Sequence, residues 1–222
     1  MNKEAIVEGI LQNTGEVAHT VVPPVLEWAY NPDAMKYPYD PDKAKSLLEE
    51  AGVSDLKTTF WVTESGSGMQ SPKTMAQAIQ ADLQNVGIAT ELVVMEWGAY
   101  LDKYNSGMGD EAGLAEMSWH FGSGDPDVVL PLTLQGDAVP PDGFNTGAYK
   151  NDRVDELLKK TREVTDIDER GDMYREIQEI TSEEAPWLFV DNAKQNAGMT
   201  ANIKGFVLSP TFLLDFRNVT ME

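Results

Sequence analysis

The fold is decided by residues 39–52, YDPDKAKSLLEEAG, and by the apolar run TTFWV that follows at 58–62. Asp40 can cap free backbone N–H groups at the start of a helix, and Pro41 is tolerated at the first helical position. Apolar residues then recur at helical spacing, and Gly52 is placed to end the helix in a left-handed conformation. The sequence therefore predicts a helix that passes through a glycine turn into a strand.

The same order of elements recurs further along the chain. Ser71 and Pro72 predict the start of a second helix, and Gly87 predicts its end. Residues 88–97 then form a run with apolar side chains on both faces, which is typical of a central, buried strand. Two helix–glycine–strand units in series predict an α/β fold with a mixed sheet flanked by helices.

The other elements are predicted from apolar spacing and turn signals. They are helices over 3–12, 98–110, 152–164 and 167–182, and strands over 115–119, 186–190 and 203–208. The tail from Phe212 to Glu222 shows no helix signal. Residues 13–38 are too long for an ordinary loop, so we expect them to lie across a surface or to cross between lobes. Residues 121–147, rich in Gly, Pro and Asp, form a loop of the kind that often contacts ligands.

Composition excludes several classes of function. The 222 residues include 37 acidic and 17 basic side chains, so the formal charge is -20. Such a surface repels nucleic acid and anionic membranes, favours solubility, and can steer a cationic ligand. The absence of cysteine excludes disulfides and thiolate metal sites. No apolar run is long enough to span a membrane, and the N-terminus is not a signal peptide.

Catalytic and metal-binding templates fit poorly. The two histidines, His19 and His120, lie far apart, and no HExxH, P-loop or GxGxxG pattern occurs. Residues 65–68, SGSG, do not have the order of a nucleophile elbow and are expected to form a flexible loop, whose amides could contact an anion. The aspartates of the later loop lack the spacing of a calcium site and favour turns: Asp125, Asp127 and Asp137. The sequence therefore indicates neither an enzyme nor a cofactor.

Trp119, His120 and Phe121 are the most unusual local feature, because three ring-bearing residues precede a glycine-rich loop. Two interpretations remain open for Trp119. It is either a core residue at a strand end or a wall of a ligand cleft. Aromatic side chains suit a cleft because they offer a large contact area with few rotamers to immobilise.

Several segments, in this order, resemble the dipeptide/oligopeptide-type (family 5) extracytoplasmic solute-binding proteins of ABC importers. The matching segments are MNKEAIV at 1–7, VPP at 22–24, YDPDKAKSLLEEAG at 39–52, IQADLQNVGI at 79–88, NDRVDELL at 151–158 and DFRNV at 215–219. The resemblance covers nearly the whole chain. It implies the C-terminal lobe of a periplasmic-binding-protein type II fold.

This resemblance carries expectations about organisation and function. Residues 1–190 correspond to the C-terminal lobe, and residues 191–222 to a segment that returns toward the N-terminal lobe. That lobe is almost wholly absent, so the chain is expected to begin inside a longer protein. The resemblance implies no enzyme activity and no cofactor. It implies a ligand trapped between closing lobes, delivery to an ABC permease, and a periplasmic or extracellular, membrane-associated location.

The resemblance also implies the site residues. Peptide-binding relatives carry a W-x-x-D motif whose Asp binds the α-amino group of the peptide. Trp119 matches the Trp, but Gly122 occupies the Asp position, so the anchor for a ligand ammonium is lost. Asp125 could substitute through a loop shift. The ligand-binding residues are therefore predicted to be Trp119, His120, Phe121, Gly122 and Asp125, with a peptide, a sugar or another small polar solute as the ligand.

Two other classes of function are consistent with the sequence. A stand-alone lobe would expose apolar surface and could act as a protein-interaction or dimerisation module. A hydrolase with an unusual site would need carboxylates clustered near His120.

Overall fold

The computed structural model describes residues 1–66, 68–209, 211 and 213–222, which form an α/β fold. Its strands, in chain order, are β1 (Gly15–Val17), β2 (Lys57–Thr63), β3 (Ala89–Met95), β4 (Leu114–Ala115), β5 (Asp191–Ala193), β6 (Ile203–Lys204) and β7 (Thr220–Met221). Its helices are α1 (Lys3–Ala5), α2 (Pro41–Glu50), α3 (Pro72–Asn85), α4 (Trp97–Ser106), α5 (Leu130–Leu134), α6 (Asp152–Lys160) and α7 (Ile167–Glu184). A π-helical segment, Ile6–Ile10, continues α1, and a 3-10 turn, Pro126–Val128, precedes α5.

Both predicted helix–glycine–strand units are confirmed. The Asp40 side chain accepts the Lys43 N–H at 2.8 Å and thus caps α2. Gly52 follows α2 with φ +67°, and Gly87 follows α3 with φ +91°, so each glycine turns the chain in the left-handed region. The strands that follow, β2 and β3, pair in parallel along their whole length.

The strand order in the described sheet is β3-β2-β4, with β4 also parallel to β2. The prediction that residues 88–97 form the central strand is therefore wrong, because β2 holds that position and β3 lies at the edge. Burial agrees with this order. Phe60, Trp61 and Val62 of β2 are at most 5% exposed, whereas Glu91 of β3 faces solvent.

The predicted α/β class with flanking helices is confirmed, and the antiparallel pairings lie outside the parallel sheet. β1 pairs with β5, and β6 pairs with β7. The sequence predicted a strand over residues 186–190, and this prediction is wrong. Ala185 turns the chain in the left-handed region, and Pro186 has no N–H to donate to a strand pairing. Trp187 and Phe189 pack instead against the helical core, and the strand begins at Asp191.

The helical core joins α5, α6 and α7 to the long irregular segment near the N-terminus. Val154 and Leu158 of α6 are buried with Tyr174 and Ile177 of α7. Val22 and Ala29, from the irregular segment, belong to the same cluster. Residues 13–38 thus follow the first of the two expected arrangements, because they lie across the helical core and their apolar side chains complete it. They are not irregular throughout, since Gly15–Val17 form β1.

Four other predicted elements are shorter than expected, and one of them is the helix over 152–164, which ends at Lys160. The helix over 98–110 ends at Ser106, the strand over 115–119 is limited to β4, and the strand over 203–208 is limited to β6. Two predicted features include residues outside the described part of the chain: Ser67 of the 65–68 loop and Phe212 at the start of the tail.

Gln178 links α7 to the irregular segment by hydrogen bonds in a fully buried place. Its Nε2 donates to the Ala29 carbonyl at 2.7 Å, and its Oε1 accepts the Asn31 N–H at 3.0 Å. We expect Gln178→Leu to lower the free energy of unfolding by about 2–4 kcal/mol, because both backbone groups lose their partner. Chemical denaturation measures this loss. Gln84→Leu, on the exposed face of α3, is the matched control and should change stability little; equal losses would contradict the assignment.

Candidate functional site

The three parallel strands end at one edge of the sheet, and three connecting segments leave from it. In open α/β sheets, ligands bind outside the carboxyl ends of the strands. At this edge the Glu64 N–H donates to the Met95 carbonyl at 2.9 Å, and the Thr63 hydroxyl donates to the Ser65 carbonyl at 2.7 Å. The chain then continues with residues 64–66 after β2, with α4 after β3, and with residues 116–125 after β4.

A row of aromatic rings stands beside this edge. Trp97 stacks on Tyr100 at 5.7 Å between ring centroids, and Tyr100 stacks on Tyr104 at 5.8 Å. Burial raises the pKa of the Tyr104 phenol, and the neighbouring Thr146 and Trp119 side chains act against this effect. Trp119 packs on Phe144 at 5.3 Å between ring centroids. Trp119 is half-buried, so it is anchored on one side by the protein and keeps part of its ring accessible.

Gly66 brings the backbone of the 64–66 segment against this aromatic row. A side chain at this position would place its Cβ 2.6 Å from Cγ of Trp97, and the residue has φ +111°. Both facts require glycine. The loop after β2 is thereby held next to Trp97, at the same edge as the residues that follow β4.

The five predicted site residues fall in one segment after β4. Trp119, Phe121 and Gly122 are half-buried, and His120 is exposed. Phe121 packs against the helical core, while Gly122 has room for a side chain, since an added Cβ would lie 3.7 Å from the His120 ring. Within the described residues, no group of three His, Cys, Asp or Glu side chains is arranged to hold a metal ion.

Asp125 is engaged with other parts of the protein. Its carboxylate caps the 3-10 turn by accepting the Asp127 N–H at 3.0 Å, and both of its oxygens accept from Nη2 of Arg170, at 2.9 and 3.1 Å. The Arg170 guanidinium also lies 5.3 Å from the ring centroid of Trp28. Asp125 therefore ties the end of the candidate loop to α7. Its predicted contact with a ligand stays a prediction.

Glu116 is a candidate site residue that the sequence reasoning missed. Its Oε1 accepts the Thr63 N–H at 3.1 Å, and its backbone carbonyl accepts the Tyr100 hydroxyl. Burial raises the pKa of the Glu116 carboxyl to about 7, against the opposing effect of the Thr63 hydrogen bond. The only available signal was an acidic residue placed directly after a short strand, at the carboxyl edge of the sheet.

An open groove of about 600 Å³ lies at the opposite, amino edge of the sheet. It is lined by residues at the start of β2 and β3 and by the turn before β4, including Thr58, Thr90 and Asp110. This groove is separate from the aromatic row and from every residue predicted to bind ligand. The groove is therefore a second possible binding surface, and experiments that locate the ligand can distinguish it from the candidate site.

Comparison with known proteins decides the family. The sequence profile for bacterial extracellular solute-binding proteins, family 5 Middle, matches residues 1–140. Heme-binding protein A of Haemophilus influenzae is 34% identical over the whole chain, and the dipeptide-binding protein of Escherichia coli is 32% identical over the whole chain. The chain belongs to the family 5 solute-binding proteins. It spans about two fifths of these family 5 relatives, 40% and 41% of their respective lengths.

Solved family 5 structures agree with this assignment. The periplasmic binding protein DppA of Helicobacter pylori, in complex with the peptide STSA, superposes with a TM-score of 0.79 at 29% identity. HbpA2 of Haemophilus parasuis superposes with a TM-score of 0.81 at 27% identity. They cover 100% and 99% of this chain, and the chain covers 42% and 43% of theirs. The predicted periplasmic-binding-protein type II fold is confirmed.

Membership of family 5 confirms one further prediction and supports the coarser part of another. The family consists of solute-binding proteins that serve transport, so the prediction that the chain is not an enzyme holds. The family is described as extracellular and the Helicobacter pylori relative as periplasmic, which supports a place outside the cytoplasm. Across the part of the chain that the structure describes, no helix has the length and apolarity needed to cross a membrane.

The ion pair between Asp125 and Arg170 predicts that Asp125 contributes more to stability than Asp127 does. Asp125→Ala should lower the free energy of unfolding by about 1–3 kcal/mol, because it leaves the largely buried Arg170 unpaired. Asp127→Ala is the matched control. Its partner Arg162 is 53% exposed, so the loss should stay below about 1 kcal/mol. Equal losses in denaturation experiments would contradict a structural role for Asp125.

Proposed function

We propose that this chain forms one wall of the ligand cleft of a solute-binding protein that delivers small solutes to an ABC permease. The observation that carries the proposal is the coincidence of two facts. The chain matches family 5 binding proteins along its whole length, and its carboxyl sheet edge presents a half-buried aromatic wall beside accessible loops. Clefts that take small ligands combine apolar walls with a few polar groups in this way.

A peptide is the ligand class that the relatives favour. The dipeptide-binding protein of Escherichia coli and the Helicobacter pylori protein in complex with STSA are both similar over the whole chain. Trp119, His120, Phe121 and Gly122 form the ligand-facing loop in this proposal, and Trp119 supplies its rigid aromatic surface. Gly122 occupies the position of the Asp in the W-x-x-D motif. In this proposal the peptide amine is therefore bound by a group other than the one that the motif supplies.

The proposal assigns different partners to two parts of the chain. Residues 1–190 form the ligand-binding lobe, and residues 191–222 pack against a second lobe. Support for the second contact comes from apolar side chains of the C-terminal segment that are more than 60% exposed: Val207, Leu213, Phe216 and Met221. Such a cluster is costly in water and is typical of a surface that a partner covers.

Closure of the two lobes around the ligand explains how capture and delivery are coupled. A ligand can shift lobes toward the closed form only if it binds that form better than the open one. Contacts from both walls provide this difference, and the closed form is the one that docks on the permease. The protein would therefore act outside the cytoplasm, at the surface of the membrane that holds the permease.

The alternative of a stand-alone dimerisation module draws on the same exposed cluster. The relatives named above do not support it, because they are solute-binding proteins of which this chain matches only a part. A stable homodimer of the isolated chain, seen by light scattering, would favour that alternative over a missing second lobe.

Calorimetry with dipeptides tests the proposed function. The protein produced from its complete reading frame should bind Ala-Ala or Met-Leu, and the 222-residue chain alone should bind the same dipeptide at least 100-fold more weakly. The reason is that one wall provides only part of the contacts that a closed cleft provides. Tight binding by the isolated chain would contradict the two-wall account. No binding of either dipeptide by the complete protein would contradict peptide capture.

A further inference from the structure

Glu116 combines a location at the carboxyl edge of the sheet with an unusual set of partners. It is the first residue after β4, at the edge where β2, β3 and β4 all end. Only one side-chain oxygen, Oε1, has a hydrogen bond within the described protein, from the Thr63 N–H. The residue is half-buried and directly precedes Met117, Ser118 and Trp119 of the candidate loop. Its second oxygen, Oε2, has no hydrogen-bond partner among the described residues.

The hydrogen bond to Thr63 does not require a charged residue. The backbone ladder between β2 and β4 stops at this point, and the Glu116 side chain supplies the acceptor that the next residue of a longer strand would supply. A glutamine amide oxygen would accept the same N–H without the cost of desolvating a charge. The raised pKa of the Glu116 carboxyl expresses that cost. A carboxylate held in this way is typical of a functional group.

Two other carboxylates near the loop already have partners within the protein. Asp125 is bound by Arg170, and Glu96 caps α4 by accepting the Gly98 N–H at 2.8 Å. The ion pairs formed within the described residues include none with Glu116. Its titratable neighbour is Tyr100 of α4, whose phenol is neutral at physiological pH, while β2 faces it with the uncharged Thr63. The cation that would balance this charge is thus not supplied by these neighbours.

We propose that Glu116 binds the protonated amine of the ligand, in the role left open by Gly122. This inference rests on the proposed function and extends it, since it names the ligand class as solutes that carry a primary ammonium group, such as peptides with a free N-terminus. The acidic surface of the protein, with a net charge of -20, favours the approach of the same class.

The proposal predicts how binding depends on pH. A nearby ammonium stabilises the ionised carboxylate, so it lowers the pKa of Glu116 in the complex. Binding of a free-amine ligand should therefore strengthen as pH rises toward about 7, where Glu116 of the unbound protein loses its proton. It should weaken again above about 8, where the α-amine of the ligand loses its own proton. A ligand whose amine is blocked should show no such dependence.

The first experiment compares Ala-Ala with N-acetyl-Ala-Ala on the complete protein. Glu116→Gln keeps the acceptor for Thr63 and removes the charge. It should weaken Ala-Ala binding at about pH 7 at least tenfold, abolish the strengthening between about pH 6 and 7, where the ligand amine stays protonated, and leave binding of the acetylated dipeptide unchanged. Glu91→Gln, an exposed residue of β3 in the same sheet, is the matched control and should change neither. Equal Ala-Ala affinity in Glu116→Gln and the unaltered protein would overturn the proposal.

A second readout separates this proposal from the proposed function. If neither dipeptide binds the unaltered protein, peptide capture fails, and the side-chain carboxyl of Glu116 is followed by NMR titration with added methylammonium chloride. A lower pKa than in sodium chloride of equal concentration supports an ammonium site that serves a non-peptide amine. An unchanged pKa overturns the proposal.

Discussion

The parallel pairing of β2 with both of its neighbours is the constraint on which the rest of the structure depends. β2 is paired with β3 over seven residues and with β4 over two, so three strand ends meet at one edge. Its residues Phe60–Thr63 are buried, and this places the sheet between α3 on one side and α4 on the other. The segments that reach the candidate site differ in sequence. They start at the same edge of the sheet because β3 and β4 both pair in parallel with β2.

The short length of β4 determines which groups the candidate site presents. A longer strand would continue the backbone ladder and leave no need for a side-chain acceptor at Thr63. Because β4 ends at Ala115, a carboxylate is held at the sheet edge, and the chain is released toward Trp119. The Tyr100 hydroxyl fixes the same turn from the side of α4. Strand termination, carboxylate burial and presentation of the aromatic wall are thus consequences of one local feature.

The sequence predicted the elements with strong local signals. The start and end of α2 were readable because a cap at Asp40 and a left-handed glycine at Gly52 act within a few residues. The segment at 186–190 was misassigned because its alternating apolar side chains serve the helical core, which periodicity alone does not distinguish from a strand. The edge position of β3 was also missed, since strand order depends on which distant segments pair and not on the apolar content of one run.

The candidate loop was found from its ring-bearing residues, but its electrostatics were not. The partner of Asp125 lies 45 residues away in α7, and Glu116 becomes unusual only because Thr63, 53 residues earlier, donates to it. Long-range contacts of this kind are set by the packed fold and leave no local pattern. Resemblance to the family supplied the place of the candidate site, while the structure supplied the contacts of each carboxylate there.

Amide hydrogen exchange on the complete protein, with and without the dipeptide that it binds, tests the central claim most directly. The account predicts slower exchange on ligand binding in residues 64–66 and 116–122, at the carboxyl edge of the sheet. It predicts no change in residues 109–113, which line the groove at the amino edge. Protection confined to residues 109–113, with 116–122 unaffected, would contradict the assignment of the ligand-binding wall.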